Sequence, residues 1–240
     1  IADKLGTNPF QFGLIGSSDA HTGLSAVDDS NFFGKSAPAE PSAVRFMNKQ
    51  ATYNWQMNAA GLAAVWAKDN TRAEIFNALS RREVYATTGP RISLRFFGGY
   101  DFHQDDLDLL ETFVASGYEK GIPMGGELNA KKDAPPSFLF AAMKDPRGAN
   151  LDRLQIVKGW IENEEMKEKV FNVAWSDERP VDEEGNITAV GNTVNLEEAT
   201  WTDTIGNAAL LGIWSDPEHD PSKSAVYYAR VLQICLLYTS

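Results

Sequence analysis

An α/β layer followed by an antiparallel β sandwich is the fold class this sequence predicts, and three observations lead to it. A short apolar run, a loop and a capped helix follow one another in the first 90 residues, the order expected of an α/β layer. After Gly89-Pro90 the texture changes to many short β-type runs. Turn signals separate those runs, among them Asp145-Pro146-Arg147-Gly148, Glu184-Gly185-Asn186 and Asp216-Pro217; this spacing suits a sandwich. The domain boundary therefore falls near residue 90, giving 1–90 and 91–240.

Taken in order, Phe10–Ile15 reads as a short buried strand. Residues 16–42 are rich in Gly, Ser, Pro and Asp and read as a long functional loop, since long structureless loops are uncommon without a task. Residues 43–58 read as helical, anchored by Met47, Trp55 and Met57. "GLAAVWA" (61–67) is a further apolar run. In "NTRAEIFNALSRRE", Thr71 with Glu74 three positions on is a capping box, and Ile75, Ala78 and Leu79 share one helical face. The strand-like runs that follow are 91–97, 137–143, 151–160, 168–175, 209–214 and 225–234, with an acidic turn or two of helix over 101–111.

The chain has 240 residues, 43% of them hydrophobic, enough for one or two domains with real cores. A net charge of -11 argues against binding a nucleic-acid backbone, which needs a basic face. No apolar run approaches the roughly 18 residues of a membrane span. One cysteine, Cys235, allows no internal disulfide and leaves the compartment open between cytoplasm and an exported location. Ile1 at the start and "VLQICLLYTS" at the end, breaking off inside an apolar run, read as a piece of a longer protein.

The chemistry-bearing stretch is "GLIGSSDAHTG" (13–23). Asp19 and His21 sit two apart, and on extended chain such residues point to one side. A carboxylate and an imidazole so placed suit zinc, manganese or iron better than calcium. The same residues also fit an ordinary turn, Asp19 capping backbone and His21 in solvent. His103 and His219, the other two histidines, read as surface loop residues. No phosphate-binding glycine loop, cysteine pair or Gly-x-Ser-x-Gly elbow is present. Lys35, Arg72, Arg81, Arg82 and Arg91 are the cations available to an anionic substrate; Arg72 reads as a solvated first-turn residue and Arg81 and Arg82 suit a helix C-terminus, which leaves Lys35 and Arg91 as substrate contacts. Trp160, Trp175, Trp201 and Trp214 offer either a sugar-stacking platform or sandwich core, and their place in strand-like runs favours core.

"NPFQFGLIGSSDAHTGLS" (8–25) resembles the last metal-binding segment of the PHP (polymerase and histidinol phosphatase) superfamily. With "GLAAVWAKDNTRAEIFNALSRREVYATTGPRISLRFF" (61–97), "GIPMGGEL" (121–128), "DPRGANLDRLQIVKGW" (145–160), "FNVAWS" (171–176) and "VYYARVLQI" (226–234), the chain closely resembles the bacterial family DUF3604. The resemblance implies the C-terminal part of a distorted β/α barrel, with metals at the strand C-termini, followed by the β domain. It implies a metal-dependent phosphoesterase, with Asp19 and His21 as ligands of a divalent ion. Ser18 and Thr22 would orient those ligands. The superfamily's opening His-x-His strand and middle ligands have no counterpart here and are expected upstream of Ile1, so the 240-residue piece alone is expected to be inactive. Cys235–Ser240 depart from related sequences and read as an artefact of truncation. The rival expectation is a catalytically dead barrel whose β domain binds a glycan or a protein.

Overall fold

The computed structural model describes residues 6, 8, 11–18, 21, 61–108, 110–131, 134–198 and 200–234. The reading of 43–58 as helix lies outside them. They fall into two compact units divided between Gly89 and Pro90.

In the first unit, strand β1 (Leu62–Val65) pairs antiparallel with β2 (Val84–Thr87), Leu62 opposite Thr87 and Val65 opposite Val84. Helix α1 (Arg72–Ser80) joins them. The Thr71 side chain accepts from the Glu74 backbone N–H at 3.3 Å, so half of the capping box read from sequence is present. The other half is not, since the Thr71 N–H donates to the Asp69 carbonyl and the Glu74 carboxylate accepts from Asn77 instead. Ala78 is the residue α1 buries. Its C-terminus closes with Arg82 at φ +62, Arg82 N–H donating to Leu79 and Glu83 N–H to Ala78. This is the paired 5→2 and 6→1 closure usually given to glycine. Residues 11–15 correct the expectation of a buried strand: they form no strand, and Phe12, Leu14 and Ile15 are all more than half exposed. An apolar run reports an affinity for cover, not the presence of it. Among the described residues there is no closed barrel, and every pairing between strands is antiparallel.

The second unit is β-rich and sandwich-like. β3 (Ser93–Gly99), β4 (Gly121–Pro123), β5 (Ser137–Met143) and β8 (Ala209–Ser215) form one sheet in the order β4-β3-β5-β8. β6 (Leu151–Glu162), β7 (Glu165–Trp175) and β9 (Ala225–Gln233) form the other, ordered β7-β6-β9. Rings from both sheets meet between them: Phe138 of β5 lies 4.6 Å from Tyr227 of β9, and Phe171 of β7 lies 4.9 Å from Trp214 of β8. Trp214, half-buried, thus packs into the ring cluster between the sheets, as its place in a strand suggests. β3 and β5 are buried almost throughout because the first sheet is covered on both faces. Its far face carries helix α2 (Leu110–Lys120), with Phe97, Phe102, Phe113 and Leu139 in one cluster. The acidic stretch read as a turn or two is a 3-10 turn (Gln104–Leu107) that leads into this longer helix. No helix among the described residues is long and apolar enough to cross a membrane.

Two buried acids fasten the second unit. Asp152 accepts from Arg153 Nε at 3.1 Å and Arg179 Nη1 at 2.7 Å, tying the chain after β7 back to β6. Burial would raise its pKa, but the two guanidiniums hold it below the ordinary value. Asp106 accepts from Lys120 Nζ at 2.6 Å and from the His103 backbone N–H at 2.8 Å. Burial opposes its ionisation; Lys120, Ser116 and the His103 amide overcome that and bring its pKa down to about 2. A depressed carboxyl stabilises the fold above its unfolded pKa and loses that contribution as pH falls through the folded one. Urea denaturation across a pH series is therefore expected to show about 2 kcal/mol that depends on Asp106, present above pH ~4 and lost toward pH ~2. Asp106→Asn should flatten that part of the profile; an unchanged acid slope would refute the assignment.

Candidate functional site

The segment that leads to Asp19 is held by glycines. Arg82 Nη1 donates to the Gln11 carbonyl at 3.2 Å. A Cβ on Gly13 would stand 2.5 Å from Val84 Cγ2, and one on Gly16 would stand 2.4 Å from the Thr87 carbonyl oxygen and 2.6 Å from that of Leu62. Gly16 N–H donates to the Leu62 carbonyl at 3.1 Å. The partners Gln11 with Arg82, Gly13 with Val84 and Gly16 with Thr87 advance together, so this segment runs in the same direction as β2. It leaves at the C-terminal end of β2, where Ser18 is half-buried. Only a glycine fits at Gly16, because the obstacles are backbone oxygens that cannot rotate away.

At that strand end the Thr87 side-chain oxygen is buried and has no hydrogen-bond partner. His21 is exposed and forms an isolated bridge. Asp19, Thr22 and Lys35 lie outside the described residues. Among those described, no three His, Cys, Asp or Glu side chains gather as a metal shell. One carboxylate and one imidazole suit a divalent transition ion in donor type but fall short of the three protein ligands of a catalytic zinc.

The cations weighed as substrate contacts divide. Arg81 gives Nε to Glu83 at 2.8 Å and Nη2 to the Trp66 carbonyl at 2.6 Å, which makes it a brace between α1 and the neighbouring strands. Arg82 is the left-handed closing residue of α1 described above. Arg91 opens the second unit, exposed, with its backbone N–H on Asp145 Oδ2 at 2.7 Å.

The second unit holds a polar group that sequence reading missed. Lys158 on β6 donates to Asp216 Oδ2 at 2.6 Å and to the Glu218 carbonyl at 2.7 Å. Tyr227 on β9 donates its hydroxyl to the same Asp216 oxygen at 2.6 Å, and Glu218 N–H takes the other at 2.9 Å. The Asp216 side chain is fully buried. Burial pushes its pKa up, while Lys158, Tyr227 and the Glu218 amide pull it further down. Burial and the adjacent carboxylate both raise the Tyr227 phenol, so it stays protonated. The signal in the sequence was a lysine in mid-strand, "LQIVKGW", where an unpaired charge is not tolerated.

Trp160, on the same strand, lines a cavity beside Lys158 and Tyr227. Trp160 and Trp214 thus serve different surroundings, and the structure gives no four-tryptophan platform: Trp214 is in the ring core. His219, read as a surface loop residue, has its Nε2 buried beside that same cavity.

No curated protein and no solved structure matches this chain. The family described as "Protein of unknown function (DUF3604)" matches residues 1–237. The match spans nearly the full length, through both units, and the chain belongs to the DUF3604 family.

Proposed function

We propose that this chain carries one corner of a metal-dependent hydrolase site for a phosphoester, with Asp19 and His21 as two ligands of a zinc, manganese or iron ion. The relation to PHP-type barrels belongs to the same proposal. One observation carries it: the glycine-held segment runs alongside β2 in the same direction and brings Ser17, two residues before the Asp-x-His pair begins, to the C-terminal end of β2. In parallel α/β architectures, residues that bind and react with ligands gather at that end; β1 and β2 themselves pair antiparallel, so what bears on the site is this one segment's direction beside β2. The buried, unpartnered Thr87 oxygen is a further polar group at the last residue of β2. Ser18 and Thr22 flank the pair and would orient it through hydrogen bonds. A divalent ion supplies positive charge beside a phosphoryl oxygen when bound.

The test is metal content. Equilibrium dialysis of the 240-residue chain against zinc, manganese or iron should show weakly bound metal, as a site with two protein ligands holds it. The double variant Asp19→Ala, His21→Ala should fall to background with its circular dichroism unchanged. Equal metal in both proteins would end the ligand assignment.

A further inference from the structure

Beside β6 and β9 the second unit has a concave site of about 110 Å³. Trp160 and Tyr227 supply aromatic wall, Lys158 and Lys223 supply ammonium groups, and Glu162 and His219 complete the lining the argument needs. We propose that this cavity binds a single neutral sugar unit, a function separate from the Asp19–His21 corner.

Four features select that chemistry. The size is well below the roughly 300 Å³ lower end of pockets for drug-sized ligands, so the occupant is one small ring. The charge disfavours an anion: Glu162, Glu218 and Asp220 meet Lys158, Lys223 and, from the adjoining strand, Lys169, and buried Asp216 stands behind Lys158, so no cation is in excess. The cations are also engaged: Lys223 pairs with Glu162 and, at 3.4 Å, with Asp220, while Lys158 is held by Asp216. A phosphate would have to break those pairs; a hydroxyl adds to them, because carboxylate oxygens accept and ammonium groups donate beyond their first partner.

The third feature is the aromatic wall. Lys158 Nζ lies 5.4 Å from the Trp160 ring centre and 5.9 Å from that of Tyr227, so polar and aromatic surfaces alternate within one cavity. A sugar presents the same alternation, C–H faces that stack on an indole and hydroxyls at the rim. The fourth is His219. Its Nε2 is buried with no hydrogen-bond partner, and a buried polar atom of this kind calls for one. A hydroxyl both donates and accepts, so once the His219 ring turns this nitrogen toward the cavity a bound sugar satisfies it in either tautomer.

Saturation-transfer NMR on the 240-residue chain tests this with four probes: glucose, galactose, mannose and N-acetylglucosamine, each at millimolar concentration. At least one is expected to receive saturation on its ring C–H protons. Trp160→Ala should weaken that binding about tenfold, an effect of the size of a lost stacking contact. Trp160→Phe should keep part of it, and Glu162→Gln should weaken it with the sandwich intact by near-UV circular dichroism. In the wild-type chain the sugar should shift the His219 imidazole nitrogen signal. Silence from all four sugars would overturn the proposal. So would saturation that persists undiminished in Trp160→Ala or Glu162→Gln, or a shift of His219 by inorganic phosphate and by none of the sugars. Neither arm involves metal, so failure here is distinct from failure at Asp19 and His21.

Discussion

Replacing Lys158 with Met is expected to cost the second unit about 3–5 kcal/mol, because it strands a buried carboxylate. Asp216 keeps only Tyr227 and the Glu218 amide in that variant, and its side chain is fully buried. Urea denaturation at neutral pH measures the loss. Two companions separate charge from packing. Tyr227→Phe removes one neutral donor and should cost about 1–2 kcal/mol. Lys158→Met combined with Asp216→Leu removes both charges and should recover most of the loss, since a buried pair often exchanges evenly for apolar side chains. The pH dependence has a definite sign. Without Lys158 the Asp216 carboxyl no longer gains from ionising, so its folded pKa rises; acid then protonates it at less cost, and the variant's deficit against wild type shrinks as pH falls. A neutral-pH loss under about 1 kcal/mol would mean that the ammonium does not hold the acid in place.

The second large effect is expected at Phe97, where truncation to Ala should cost about 3–5 kcal/mol. The ring is buried to 1% and meets Phe113 and Tyr118 edge-on at 6.1 and 5.1 Å. It also presses on α2 where that helix has no side chain. A Cβ on Gly117 would stand 2.6 Å from Phe97 Cδ2 and Cε2 and 2.8 Å from Cγ. Contact with Cγ means the ring cannot swing clear, since Cγ is fixed by the backbone and one torsion. Gly117→Ala should therefore destabilise by about 1–2 kcal/mol, overpacking outweighing the roughly 1 kcal/mol that alanine gains in a helix. In a Phe97→Ala background the clash is gone and the same substitution should turn stabilising. A double-mutant cycle by chemical denaturation reads that reversal of sign; additive effects would show that ring and helix are not in contact as described.

The strands of the second unit were legible because each has its own local signature. "SFLFAAM" is bounded by turns and is β5 residue for residue. β6, β8 and β9 begin where their apolar runs begin. The cap at Thr71 was legible for the same reason, a bond three residues long. What escaped was non-local or lacked contrast. α2 continues to Lys120 through Ser116 and Gly117, which break the apolar pattern; tertiary contact with Phe97 explains the glycine, and no window of sequence contains both. The Lys158–Asp216 pair joins positions 58 apart, and nothing near either residue names the other. Phe12, Leu14 and Ile15 are apolar without being covered, a distinction that side-chain type does not encode. At the candidate site, the Asp-x-His spacing was visible, whereas the alignment of residues 11–16 with β2 required the fold.

The two-residue connection between β6 and β7 bears on the order in which the sandwich closes. Glu162 pairs with Glu165, and both residues between them, Asn163 and Glu164, have positive φ, +52° and +66°. That is the turn whose twist matches a hairpin, so β6 and β7 can zip from a neighbouring start within microseconds. β9 has to return from far along the chain, as the Lys223–Glu162 pair across 61 residues shows. Its loop-closure entropy is paid before any contact repays it. Lys158 therefore spends the early life of the hairpin in water, and its burial waits for the segment that brings Asp216 and Tyr227. The charge that later locks the sheet also keeps its central strand soluble until the lock arrives.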